Sequence, residues 1–183
     1  MGNHLKTIGV FLSSHEHIDA VYAEAVDAVG RWIGQHGLTL VYGGSRSGMM
    51  ERLACAVKQS GGKVMGVVPD VVRQRGLESA QCDVIMYAAD LTDRKAIMMR
   101  EADVILALPG GIGTLDEMFT AAAADVIGTA SKKVYALNVN HFWDSLWQVL
   151  EQMQRQGFLR ADAMQWMVRV SSLEEFEQQV LNP

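Results

Sequence analysis

The chain has 183 residues, 49% of them hydrophobic and 20% charged, with 17 Gly and 3 Pro. That length suits one compact domain spanning residues 1–183, and the apolar content excludes collagen-like, low-complexity and disordered chains. A formal net charge of −5 argues against nucleic acid or an anionic membrane as partner.

In chain order, the first predicted strand is Lys6–Leu12. No secretory pattern precedes it, and Lys6 in place of Ser or Thr argues against myristoylation at Gly2. The strand leads into Leu12-Ser13-Ser14-His15, where two hydroxyls can bind phosphate or cap the next helix. His15 and His17 stand two apart with no third ligand nearby, so no metal site is expected. Ile18–His36 places Val21, Ala25, Ala28, Val29, Trp32 and Ile33 at helical spacing, and Gly37 reads as its C′ glycine.

A second strand, Leu38–Tyr42, runs into Gly43-Gly44-Ser45-Arg46-Ser47-Gly48. Glycines let an anion approach the backbone, yet the spacing is neither a dinucleotide fingerprint nor a P-loop. A tight turn and a phosphate loop are equally open at this point. The helix Met49–Ser60 carries Cys55 in an apolar run. With only Cys82 besides, there is no disulfide framework, and a reducing, cytoplasmic setting is expected.

Strands Lys63–Val68 and Asp83–Met86 precede a helix over Thr92–Glu101, with Thr92 as its expected cap. Arg94 and Lys95 sit near its start, where positive charge opposes the helix dipole unless an anion is close. Arg100 sits near its end, where a cation suits the dipole. Position alone fits all three as solvated charges or as ligands. The aliphatic strand Val104–Leu108 then meets Pro109-Gly110-Gly111-Ile112-Gly113-Thr114 and a helix over Thr114–Gly128. Inside an element each glycine would cost about 0.5–1 kcal/mol against Ala, so a backbone nest for phosphate is the reading. Thr114-Leu115-Asp116-Glu117 is also a capping box, with Thr114 as cap and Glu117 reaching back.

A strand at Lys133–Leu137, a helix over Phe142–Gln156 and a short polar helix, Leu173–Leu181, complete the pattern. No apolar run approaches the ~20 residues of a membrane span. There is no G-x-S-x-G elbow, and neither cysteine opens a helix. Strand–helix alternation with short connections predicts an α/β fold, a doubly wound parallel sheet with helices on both faces. Ligands of such sheets lie beyond the carboxyl ends of the strands, where the winding reverses.

Taken together, these segments resemble the Lonely Guy (LOG) family, long labelled lysine decarboxylases. Its signature P-G-G-x-G-T-x-x-E is matched by Pro109, Gly110, Gly111, Gly113, Thr114 and Glu117. An upstream R-K-x-x-M-x-R/K segment is matched by Arg94, Lys95, Met98 and Arg100. The turn from Tyr42 to Met49 resembles the family's second loop, and Ser13-Ser14 its first.

The resemblance implies a Rossmann-like fold, usually a homodimer with sites near the subunit interface. It implies hydrolysis of cytokinin riboside 5′-monophosphates to the free base and ribose 5-phosphate, without metal or redox cofactor. The family's proposed catalytic Arg and Glu map onto Arg100 and Glu117. Ser13, Ser14, Gly43, Gly44, Ser45, Arg94, Lys95, Gly110, Gly111, Ile112, Gly113 and Thr114 are the expected substrate and phosphate contacts.

The sequence departs from the family on the base side. Ala123, Ala124 and Val126 stand where members often carry Thr, Trp and Gln, and Pro69-Asp70-Val71 replaces a Pro-x-Glu. Two alternatives therefore accompany the leading reading: a broader hydrolase of purine monophosphates such as AMP, and a non-catalytic nucleotide or molybdenum-cofactor carrier of related fold.

Overall fold

The computed structural model of the chain describes residues 5–126, 132–160 and 163–181. The amino-terminal reading at Gly2, the expected helix end at Gly128 and the Val126 side chain lie outside what is described. Seven strands form one parallel sheet: β1 (Thr7–Phe11), β2 (Thr39–Tyr42), β3 (Lys63–Pro69), β4 (Val84–Ala88), β5 (Val104–Ala107), β6 (Val134–Leu137) and β7 (Met167–Val170). Their order is β4-β3-β2-β1-β5-β6-β7, so the winding reverses between β1 and β5. The three loop-bearing strands of interest, β2, β1 and β5, are neighbours.

Short aliphatic strands work here because both faces of the sheet are covered. Successive residues point to opposite sides, and β1 divides itself accordingly. Ile8 and Val10 join one core with Trp32, Ile33, Leu53 and Phe176, under α1 (Ala20–Gln35), α2 (Gly48–Gln59) and α7 (Leu173–Leu181). Phe11 joins the other with Met98, Met118, Trp143 and Trp147, under α4 (Leu91–Glu101), α5 (Ile112–Val126) and α6 (Asp144–Arg155). The result is a three-layer helix–sheet–helix sandwich.

Several details differ from the sequence reading. The cap of α4 is Asp90, whose carboxylate accepts from the N–H groups of Thr92 and Asp93 at 2.8 Å, so Thr92 is already inside the helix. Asp83 lies outside its strand; its carboxylate accepts from the Val64 amide at 2.8 Å and pairs with Lys58. A one-turn helix, α3 (Asp70–Arg73), two 3-10 turns and the edge strand β7 were not expected. Four residues containing Arg169 are too few for a clear alternation, and β7 is held by pairing with β6 and by burial of Met167 and Val170 in the two cores.

Candidate active site

At the reversal point between β1 and β5 the sheet opens into a cleft of about 430 Å³. Leu12, Ser13, Ser14 and His15 form one wall after β1, and Gly111, Ile112, Gly113 and Thr114 form another after β5. Met50 of α2 flanks it, and Arg94 and Glu117 lie at its floor. Helix geometry leaves the first N–H groups of α5, at Ile112, Gly113 and Thr114, without intrahelical acceptors. With the positive end of the α5 dipole behind them, these donors make an anion seat.

Gly111 and Gly113 keep the seat open. A Cβ built on either meets nothing within 4 Å, and neither has the left-handed backbone that favours glycine. Neither folding geometry nor packing demands a glycine there. The vacancy leaves the backbone of the seat open from outside the chain. Gly110 differs, because its Cβ would collide with the Thr114 hydroxyl, which folds back over it. Thr114 is itself only 2% exposed.

Glu117 stands one turn into α5 and is 6% exposed. It does not reach back to close a capping box, since α5 begins at Ile112, two residues before Thr114. Instead Arg94 Nη1 donates to its Oε1 at 3.0 Å, while Arg94 Nε donates to the Val67 carbonyl at the end of β3, 3.2 Å away. Burial pushes the Glu117 carboxyl up to about 7, against the lowering pull of Arg94 and with a further upward push from Asp116. A carboxyl poised near neutrality in a cleft marks a candidate reactive group.

The structure corrects the choice of arginine. Arg100 is 62% exposed, and its Nε donates to Glu101 at 3.0 Å, away from the cleft. The residue that meets Glu117 is Arg94, with a side chain 12% exposed. Helical phase carried the signal. At about 100° per residue Arg94 falls within roughly 10° of the midpoint between the buried Ile97 and Met98, and Arg100 about 110° away.

The remaining expected contacts divide between positions that line the cleft and positions that stand behind it. Ser13, Ser14, Gly111, Ile112, Gly113 and Thr114 line the cleft. Lys95 does not; its ammonium pairs with both Asp116 oxygens at 2.8 Å and donates to Thr120 Oγ1 at 3.0 Å, tying α4 to α5 beside the cleft. Gly43, Gly44 and Ser45 also stand back from it. A Cβ on Gly43 would collide with Arg94 Nη2, so this glycine makes room for the guanidinium. Gly44, at φ 68°, packs against Gly66 and Val68, and Ser45 Oγ lies 3.0 Å from Ser47 Oγ. On the base side, Asp70 is exposed at the start of α3 and does not line the cleft. His15, passed over because it lacks metal-ligand spacing, does line it.

Among the described residues no three His, Cys, Asp or Glu side chains gather as a metal ion would require. No helix among them is long and apolar enough to cross a membrane.

A family model described as possible lysine decarboxylase matches residues 50–180. A probable cytokinin riboside 5′-monophosphate phosphoribohydrolase of Oryza sativa subsp. japonica is 32% identical over 168 residues, covering 92% of this chain and 75% of the relative. A cytokinin riboside 5′-monophosphate phosphoribohydrolase of Arabidopsis thaliana is 32% identical over 175 residues, covering 96% and 81%. Among solved structures, the molybdenum cofactor binding protein of Rippkaea orientalis superposes with a TM-score of 0.73 at 21% identity, covering 98% of each chain. At that identity the likeness speaks for the fold alone.

Proposed function

Since this chain belongs to the Lonely Guy family of possible lysine decarboxylases, and is a hydrolase of N-glycosyl bonds, we propose that it cleaves nucleoside 5′-monophosphates to free base and ribose 5-phosphate. Cytokinin riboside 5′-monophosphates are the leading substrates. One observation carries the reading: an anion seat with two vacant glycine positions lies one turn before a buried carboxylate held by an arginine.

The chemistry follows from that arrangement. As the bond from C1′ to the base nitrogen breaks, its electron pair leaves with the base and positive charge spreads over C1′ and the ring oxygen. The Glu117 carboxylate faces that charge and stabilises it, in a site where water does little screening. The same carboxylate takes a proton from the water whose oxygen bonds to C1′, and solvent carries that proton on to the departing base, which leaves neutral and restores the carboxylate. Arg94 favours the ionised state of Glu117 and fixes its rotamer; it is a poor proton donor because it hardly deprotonates. The phosphate, gripped at the start of α5, positions C1′ over Glu117, so remote binding energy lowers the barrier at the reacting bond.

The test is incubation of the purified protein with AMP and with isopentenyl-AMP, followed by assay of free base and ribose 5-phosphate. Release of neither base would overturn the reading. The absence of a cleft-lining carboxylate at Asp70 favours a second, broader reading in which plain purine monophosphates are also cleaved. Equal efficiency on the two nucleotides would select it.

The space at Gly43 supplies an independent check. Gly43→Ala sets a methyl group against Arg94 Nη2 and displaces the guanidinium from Glu117. Misplacement on the order of 1 Å can lower turnover about a hundredfold, and a loss of that size is expected here. The acidic limb of the pH profile should also move upward, because Glu117 loses the neighbour that holds it ionised. Wild-type kinetics in this variant would remove Arg94 from the mechanism.

A further inference from the structure

The cleft is poor in positive charge for a site that is to hold a phosphate dianion. Of the three basic residues on α4, Lys95 is committed to Asp116 and Thr120, and Arg100 points away. Arg94 reaches the floor, but the ionised Glu117 that the reaction needs takes up its charge. Among the described residues lining the cleft, one other can carry a proton and a positive charge: His15.

His15 is built into place rather than dangling. Its backbone N–H donates to Ser13 Oγ at 3.1 Å. Its carbonyl and that of Ser14 pack on Gly48, where any Cβ would collide with them, and Gly48 has a φ of 45°. The start of α2 therefore fixes the height of this loop over the sheet. The ring has no hydrogen-bond partner among the described residues, and the residue is exposed at the wall facing the α5 seat. The charged groups sharing the cleft with it are Arg94 from α4 and Glu117 from α5; α2 presents the uncharged Met50.

We propose that His15 is the cationic ligand of the substrate's phosphate monoester, closing over it from the β1 loop opposite the N–H groups of α5. This rests on the nucleotide reading above and adds a residue to it. An imidazolium beside a phosphate dianion makes a charge-assisted hydrogen bond. Ser13 and Ser14 hydroxyls complete the same wall.

Titration calorimetry with ribose 5-phosphate on the full chain tests this without turnover. His15→Gln is expected to weaken binding roughly ten- to hundredfold, the range of a hydrogen bond to a charged group. His15→Lys, which keeps the positive charge, is expected to stay within a few-fold of wild type. Both variants should fold, since the exposed ring holds nothing in place, and melting curves check this. Undiminished binding by His15→Gln overturns the proposal, as does loss of binding in both variants, which would deny a role to charge. Failure of the wild-type protein to bind ribose 5-phosphate would instead bring down the nucleotide reading itself.

Discussion

Glu117→Gln is expected to lower kcat by roughly a thousandfold or more, leaving the fold and the affinity for ribose 5-phosphate nearly unchanged. Glutamine keeps the shape and an oxygen to accept from Arg94, but it carries no negative charge to set against a developing oxocarbenium ion. The pH dependence tests the same group in the unmutated enzyme. Burial raises the Glu117 carboxyl to about 7, so the reactive carboxylate is lost as pH falls through that value. The kcat/KM profile should therefore rise through a limb centred near 7, because kcat/KM reports the free enzyme. If the carboxylate served only to hold Arg94 in place, the variant would lose stability, about 3–5 kcal/mol for a broken buried pair, and keep turnover close to normal. Turnover near wild type in the Gln variant would sink the catalytic assignment.

The second large effect concerns the phosphate. Several hydrogen bonds to a charged group, at about 1.5–3 kcal/mol each, should separate a monophosphate from its nucleoside by a thousandfold or more in kcat/KM. Isopentenyl-adenosine should accordingly be a very poor substrate beside isopentenyl-AMP. Gly111→Val probes the cradle from the protein side. Its side chain enters space that no protein atom occupies, so the melting temperature should scarcely move while monophosphate cleavage collapses. Comparable efficiency on nucleoside and nucleotide would refute the cradle.

The legible part of this molecule was whatever local pattern alone dictates. Six of the strands and the main helices follow from aliphatic runs between periodic segments, and the doubly wound parallel sheet from their alternation. The glycines at 111 and 113 and the carboxylate at 117 were likewise visible as motif. What the sequence hid depends on a third dimension. Gly43 reads as a phosphate-loop glycine, yet its smallness serves an arginine fifty-one residues later that crosses from α4 to the end of β3. Lys95 reads as an anion ligand until Asp116, one helix away, is seen to hold it. Thr92 and Thr114 each look like helix caps, because hydroxyl side chains suit that role, but the helices begin one and two residues earlier. His15 was weighed only against metal spacing, a test blind to which wall of a cleft it stands on.

The bond from Lys95 to Asp116 and Thr120 has a mechanical consequence. It joins the two helices that carry Arg94 and Glu117, a second tie between α4 and α5 beside the ion pair of those two residues. The facing wall has no regular structure from Leu12 to Asp19 and is held at single points, by the His15 N–H on Ser13 Oγ and by the Ser14 and His15 carbonyls against Gly48. The two sides of the cleft are therefore secured by different means, one by side chains that bridge helices and the other by backbone packed on a glycine. A substitution at Lys95 or Asp116 should loosen the first without touching the second, and one at Gly48 the reverse.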